Sequence, residues 1–292
     1  KDADLDITAE IEKKIDEVKN IKSIDFNEAV NKGKIIITNI SNEYLDSIIA
    51  MIDMDCIKSK NLRVLLDPMY GVAKTSLQTI LSIARCEVNV INDRHDTLFG
   101  GKLPSPSAET LEKLKSMVVD EHYDIGIATD GDADRIGIID EKGNFVHPNE
   151  ILMLLYYYLL KYKGWKGDCV RNLATTCMLD RIAKDFGYVC YEVPVGFKYI
   201  SGKMEETNAI IGGESSGGLT IKGHIKGKDG IFAATLLVEM ICATGKKISE
   251  LLSEIYKKYG YMVMTEADLK FSHEHKEYLK KVLFAEKRLP DF

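Results

Sequence analysis

Nowhere in the chain do two cysteines stand in a C-x-x-C spacing; the six lie at positions 56, 86, 169, 177, 190 and 242. This excludes the common zinc motifs and a disulfide-dense scaffold, and makes the cytoplasm the expected compartment. The longest apolar stretch, 151–160, is too short to span a bilayer, and no charged-then-apolar leader follows Lys1, so no membrane partner is expected. Charge of one sign is not concentrated anywhere. With 39 basic and 45 acidic residues and a net charge of −6, the chain has no block suited to nucleic acid. Low-complexity segments are absent, as are the G-x-G-x-x-G and G-x-x-x-x-G-K-[ST] patterns of dinucleotide and P-loop sites.

What is present is enough apolar material, 45% of 292 residues, for about two domains. Residues 1–40 read as a connecting segment: a charged helix with Ile7, Ile11, Ile15 and Val18 on one face, then a β-branched edge strand at 34–38. An amphipathic helix at 42–54 opens an α/β region, 41–146. There strands at 63–66, 87–91, 123–128 and 135–139 alternate with helices at 72–84 and 107–119. A second α/β region, 147–265, has strands at 168–171, 188–193 and 208–212. Its helices are expected at 149–161, 176–187, 197–205, 229–243 and 247–258, with a strand-like run at 261–264. Residues 266–292, with a charged helix at 273–287, read as a linker. Alternation of strand and helix predicts an α/β fold: two consecutive αβα domains with mainly parallel, mixed sheets.

The first chemical feature is the run Asp130-Gly131-Asp132-Ala133-Asp134-Arg135 between two apolar strands. Three carboxylates at alternate positions repel one another unless a cation sits among them, and oxygen-only ligands favour a hard ion such as magnesium or calcium. A solvated acidic turn is the plain alternative. An EF-hand loop is another, with Glu141 at its twelfth position, although Arg135 stands where that loop needs glycine. A haloacid-dehalogenase-like phosphotransferase with Asp130 as nucleophile is a third. The second feature is the run 212–218, four glycines with Glu214 and Ser216 among them, which offers a carboxylate and a hydroxyl to sugar hydroxyls or is simply a turn.

Taken in order along the chain, D-G-D-A-D-R after an apolar strand, P-V-G-F-K at 194–198, G-E-S-S-G at 213–217 and K-D-G-I at 228–231 resemble the motifs of the α-D-phosphohexomutases, the phosphoglucomutase/phosphomannomutase family. The turns at 67–71 and 101–106 are similar to family turns as well. The resemblance implies three-layer αβα domains, the second and third of four. It assigns Asp130, Asp132 and Asp134 to Mg, with a phosphoserine oxygen completing the coordination, and gives Arg135 a catalytic contact with that phosphate. It further makes Lys198 catalytic as well as a contact to phosphate or sugar, and assigns Glu214 and Ser216 to adjacent ring hydroxyls and His224 to substrate.

The implied substrates are a hexose phosphate and a hexose 1,6-bisphosphate, and the implied partners are the first and fourth domains of the same enzyme. Neither the T-A-S-H-N-P phosphoserine loop nor the R-x-S-G-T-E phosphate loop occurs in the sequence. The expectation is therefore a mutase fragment that is inactive alone. The alternative is a metal-stabilised sugar-phosphate-binding protein that never had the missing parts. The glycine loop looks more like the glucose and mannose phosphate branch than the aminosugar branch.

Overall fold

The computed structural model describes residues 3, 5–265 and 269–288. Contacts group the chain into a main unit, Lys1–Tyr261, and a small C-terminal unit, Met262–Phe292.

The N-terminal stretch is two helices rather than one, α1 (Leu5–Asp16) and α2 (Phe26–Asn31). Asp25 starts the second by accepting the Glu28 amide with its carboxylate, which fixes a helix entry where the apolar spacing had suggested continuity. The edge strand expected at 34–38 does not form. The amides of Lys34 and Ile35 turn back to the Ala29 carbonyl, and Ile36 and Ile37 stand exposed. β-branched residues favour a strand only where a neighbouring strand receives them. The helix expected at 42–54 likewise divides into α3 (Ser41–Ile49) and α4 (Met54–Lys58), the second capped by Asp53 through the Cys56 amide.

The first sheet is built from β1 (Arg63–Asp67), α5 (Ala73–Ile83), β2 (Glu87–Val90), α6 (Glu112–Asp120), β3 (Ile125–Thr129), β4 (Ile136–Ile139) and β5 (Phe145–Val146). Its order is β2-β1-β3-β4-β5; β1 lies parallel to β2 and β3, while β4 returns antiparallel to β3 and β5 antiparallel to β4. β3 and β4 are buried at every position, as apolar strands covered on both faces must be.

The second sheet follows from α7 (Pro148–Lys161), β6 (Cys169–Asn172), α8 (Met178–Asp185), β7 (Cys190–Val193), α9 (Phe197–Thr207), β8 (Ile211–Gly213), β9 (Leu219–Ile221), α10 (Gly230–Thr244) and α11 (Ile248–Tyr259). Its order, β7-β6-β8-β9, repeats that of the first four strands of the other sheet, with β6 parallel to its two neighbours and β9 antiparallel to β8. The short return strands β5 and β9 are additions to the expected set.

Helix α10 is buried from Gly230 to Cys242, all round its circumference. Such a helix needs apolar partners on every side, and it finds them in α4, α5, β3 and β4 of the first half and α7 and β9 of the second. Its one buried acid, Glu239, accepts from the Tyr158 hydroxyl at 2.5 Å, Lys163 Nζ at 2.6 Å and the Asp53 amide at 2.7 Å.

In the C-terminal unit, residues 262–264 make no strand, and α12 (His273–Lys280) passes into a π-turn over Lys281–Ala285 instead of continuing as α-helix to 287. Residues 266–268 and 289–292 of the expected linker lie outside the described residues.

Candidate functional site

The shared strand order puts the two chemical loops at equivalent places. The acidic loop, 130–135, joins β3 to its antiparallel return β4; the glycine loop, 214–218, joins β8 to β9. Both leave from the carboxyl end of a parallel strand, where open α/β sheets hold their ligands. They also touch. Arg135 and Gly218 form an antiparallel backbone bridge, and the Gly230 amide at the start of α10 donates to the Ala133 carbonyl at 2.9 Å.

Close backbone approach fixes the acidic loop. A Cβ added at Gly71 would lie 2.5 Å from the Gly131 carbonyl oxygen, and one at Gly230 would lie 2.8 Å from that of Ala133. Ala133 itself has φ of +62°, a left-handed conformation that costs a non-glycine residue about 1–2 kcal/mol. The surrounding contacts hold it there.

Asp130, Asp132 and Asp134 bring one carboxylate oxygen each to within 4.8 Å of one another. Asp130, 1% exposed, accepts the Arg135 amide at 3.0 Å on Oδ1 and Arg135 Nε at 2.6 Å on Oδ2. Burial pushes its carboxyl above the ordinary aspartate range while Arg135 pulls the other way. Burial likewise works against the Arg135 charge, but Asp130 and Asp134 outweigh it and hold the guanidinium pKa above its usual value. Asp134 pairs with Lys228 through Oδ2. Its Oδ1 is buried and accepts no hydrogen bond; Arg135 Nε lies 3.3 Å away without the alignment of a bond. Asp132 is exposed.

Three carboxylates against the two cations Arg135 and Lys228 leave one net negative charge. An unpaired buried oxygen beside an exposed carboxylate fits a hard divalent ion, which would satisfy both.

Two other readings of this loop fit less well. A nucleophilic Asp130 would have to be reached by a phosphoryl group, and its carboxylate is 1% exposed and clasped by Arg135; a small cation needs only a remaining lone pair of one of those oxygens. The EF-hand fails on its flanks, which are strands, and on Glu141, which does not gather with the three aspartates.

In the glycine loop, Ser216 is exposed and Glu214 half-buried. Glu214 Oε1 accepts from Asn172 Nδ2 at 3.0 Å and from the Gly196 amide at 3.2 Å. The second contact brings the 194–198 segment to the loop. Lys198 stands in the first turn of α9, its Nζ 5.2 Å from the centre of the Tyr199 ring.

His224 requires a correction. Its side chain is only 3% exposed, its ring stacks on Phe232 at 4.4 Å, and Nε2 lies 2.7 Å from Asp229 Oδ2. Asp229 also caps α10 through the Ile231 and Phe232 amides and accepts the Tyr44 hydroxyl. Burial alone would raise the Asp229 carboxyl; the bonds from His224, Phe232 and Tyr44 outweigh it and hold it below the usual aspartate range. His224 is thus packed against the start of α10, where the sequence had suggested a substrate contact.

The sequence reading also missed Asn172 and Thr175. The available signal was Asn172-Leu-Ala-Thr-Thr176, three polar residues of five at the carboxyl end of β6, where an α/β crevice opens.

Comparison with known proteins agrees with this architecture. The family models described as "Phosphoglucomutase/phosphomannomutase, alpha/beta/alpha domain II" and "domain III" match residues 42–143 and 147–259. A phosphoglucomutase/phosphomannomutase of Thermococcus kodakarensis is 32% identical over 229 residues, covering 78% of this chain and 50% of the relative. A phosphoglucosamine mutase of Campylobacter curvus is 34% identical over 208 residues, 70% of this chain and 46% of its own. The crystal structure of a phosphoglucomutase/phosphomannomutase family protein from Burkholderia thailandensis superposes with a TM-score of 0.67 at 25% identity, over 74% of this chain and 46% of that one. The chain spans about half the length of the curated relatives it matches. With two αβα domains in the family's order and its acidic and glycine loops joined at Arg135 and Gly218, the chain belongs to the phosphoglucomutase/phosphomannomutase family, the α-D-phosphohexomutases.

Proposed function

We propose that this chain is the cation-binding and sugar-binding part of a phosphohexomutase, an enzyme that interconverts a hexose 1-phosphate and a hexose 6-phosphate through a phosphoserine and a hexose 1,6-bisphosphate. The observation that carries the reading is the junction of the two loops. A group able to hold a divalent ion and a group able to hold sugar hydroxyls are fixed side by side on equivalent ends of two sheets.

Asp130, Asp132 and Asp134 would hold Mg, which when bound offsets the negative charge of phosphoryl oxygens. Arg135 is half-exposed, permanently charged and already oriented by Asp130, so its remaining donors suit a phosphate at the mouth of the loop. Glu214 and Ser216 take adjacent ring hydroxyls, and Lys198 a phosphate or hydroxyl of the same ligand. Positioning and fixed charge are the main protein contributions to phosphoryl transfer, and these residues supply both. The sequence contains no T-A-S-H-N-P serine loop, so the chain alone is proposed to bind ligands without turning them over.

Calorimetric titration with magnesium, alone and with glucose 1,6-bisphosphate, tests the reading. Magnesium binding weakened about tenfold or more by Asp132→Asn, roughly 1.4 kcal/mol, supports it. Calcium binding much tighter than magnesium and indifferent to the sugar would replace it with a calcium-loop protein. Mutase turnover by the purified chain would refute the claim of inactivity.

A further inference from the structure

Beneath the glycine loop lies a small buried polar hub. Asn172, 2% exposed, ends β6; Thr175, 3% exposed, follows three residues later. Asn172 Oδ1 accepts from the Ala174 amide at 3.0 Å and from Thr175 Oγ1 at 2.8 Å. A backbone N–H can only donate, so the atom facing it must be the amide oxygen. The orientation of the Asn172 amide is thereby fixed, and Nδ2 is the atom presented to Glu214 Oε1 at 3.0 Å.

Thr175 completes the arrangement. Its hydroxyl proton goes to Asn172, which leaves Oγ1 to accept the Ser215 amide at 3.1 Å. One hub therefore holds the Glu214 side chain and the Ser215 backbone of the same loop. Between them, Asn172 and the Gly196 amide occupy Oε1 of Glu214. Oε2 has no protein donor among the described residues and is not among the buried unpaired oxygens, so it remains open to solvent. A carboxylate held by one oxygen and free at the other is set up to accept from a ligand hydroxyl without reorganising.

We infer that Asn172 and Thr175 are positioning residues of the sugar site: they fix Glu214 and Ser215 in the ligand-ready arrangement and touch no ligand themselves. The inference rests on the reading that Glu214 grips the hexose. The polarity of the hub is what matters. An aspartate at 172 has nearly the same shape as asparagine but turns an oxygen, in place of a donor, toward the Glu214 carboxylate.

The test uses the full chain, titrated calorimetrically with glucose 1,6-bisphosphate and separately with magnesium, alongside thermal melts. Asn172→Asp is expected to weaken bisphosphate binding at least tenfold and leave magnesium affinity within twofold. Thr175→Val is expected to weaken bisphosphate binding several-fold, and Thr175→Ser, which restores the hydroxyl, to recover it. The threonine pair decides the matter if Asn172→Asp does not fold.

Glu214→Ala separates the two levels of the argument. Loss of bisphosphate binding in Glu214→Ala, with unchanged binding in Asn172→Asp and Thr175→Val, overturns the positioning role alone. Equal losses of magnesium and bisphosphate binding in the hub variants overturn it too, since a purely structural role predicts them. Undiminished binding in Glu214→Ala, or none by the native chain at millimolar bisphosphate, overturns the sugar-site reading beneath it.

Discussion

Arg135 and Gly218 pair backbone to backbone, and through that single bridge the acidic loop of one sheet is fastened to the glycine loop of the other. Arg135 has a double task, because the same residue gives its amide and its Nε to Asp130. The side chain and the amide both hold Asp130, while the backbone bridge anchors the neighbouring loop.

The start of α10 locks this junction, since the Gly230 amide binds the Ala133 carbonyl with no room for a side chain. Gly230→Ala places a Cβ 2.8 Å from one backbone oxygen and 2.9 Å from another, that of Arg135. Backbone cannot rotate away as a side chain would. The variant is expected to lose about 1–3 kcal/mol of stability, and its magnesium affinity should fall with the displaced loop, measured by calorimetry against the native chain.

Glu239 is a buried charge whose ionic partner, Lys163, reaches it from near the surface: the side chains are 1% and 20% exposed. Lys163→Met removes the cation and strands the carboxylate, at an expected cost of about 3 kcal/mol. In a chain of this size that lowers Tm by roughly 5 °C. Adding Glu239→Gln removes the stranded charge and should recover much of the loss; a double variant no better than the single would show that Lys163 acts by packing.

Between α7 and α11, Lys161 and Lys246 both bind Glu254 and hold its carboxyl down to about 2 from an ordinary 4.5. A carboxyl depressed in the folded state adds stability that is complete above the unfolded pKa and is lost as the pH falls through the folded one. The window is therefore from about pH 4.5 down to about 2. Melting temperatures across that range should fall more steeply for the native chain than for Glu254→Gln, and the two profiles should converge at the acid end.

Tyr44 of α3 donates to both oxygens of Asp229, at 3.0 and 2.9 Å, and so ties the N-terminal helices to the cap of α10. Burial, reinforced by Asp229, keeps its phenol protonated far above the ordinary tyrosine range. Tyr44→Phe removes a bond to a charged group, worth about 1.5–3 kcal/mol. Amide hydrogen exchange should accelerate in residues 41–49 more than in β1 or β3; a uniform change would mean that Tyr44 does not anchor the helix.

Much of the architecture was legible because burial leaves a periodic trace. The stretch 123–128 read as a strand and 229–243 as a helix, and β3 and α10 form there. The errors fall where a partner decides the outcome. Residues 34–38 have the composition of a strand, but no neighbouring strand pairs with them. His224 lies in a polar segment and reads as accessible, yet Asp229 and Phe232 draw it inward.

The sequence by itself determined the chemistry of the acidic loop, since alternate carboxylates on a short turn between apolar strands crowd like charges whatever surrounds them. It also determined the two α/β domains, through strand and helix periodicities that depend only on local order. Tertiary structure alone decided that the loops 130–135 and 214–218 meet, that Lys228 reaches Asp134, and that Asn172 turns its donor to Glu214. Those contacts join residues distant along the chain, the first two across the two sheets and the third between the neighbouring strands β6 and β8. No local pattern in the sequence carries that information.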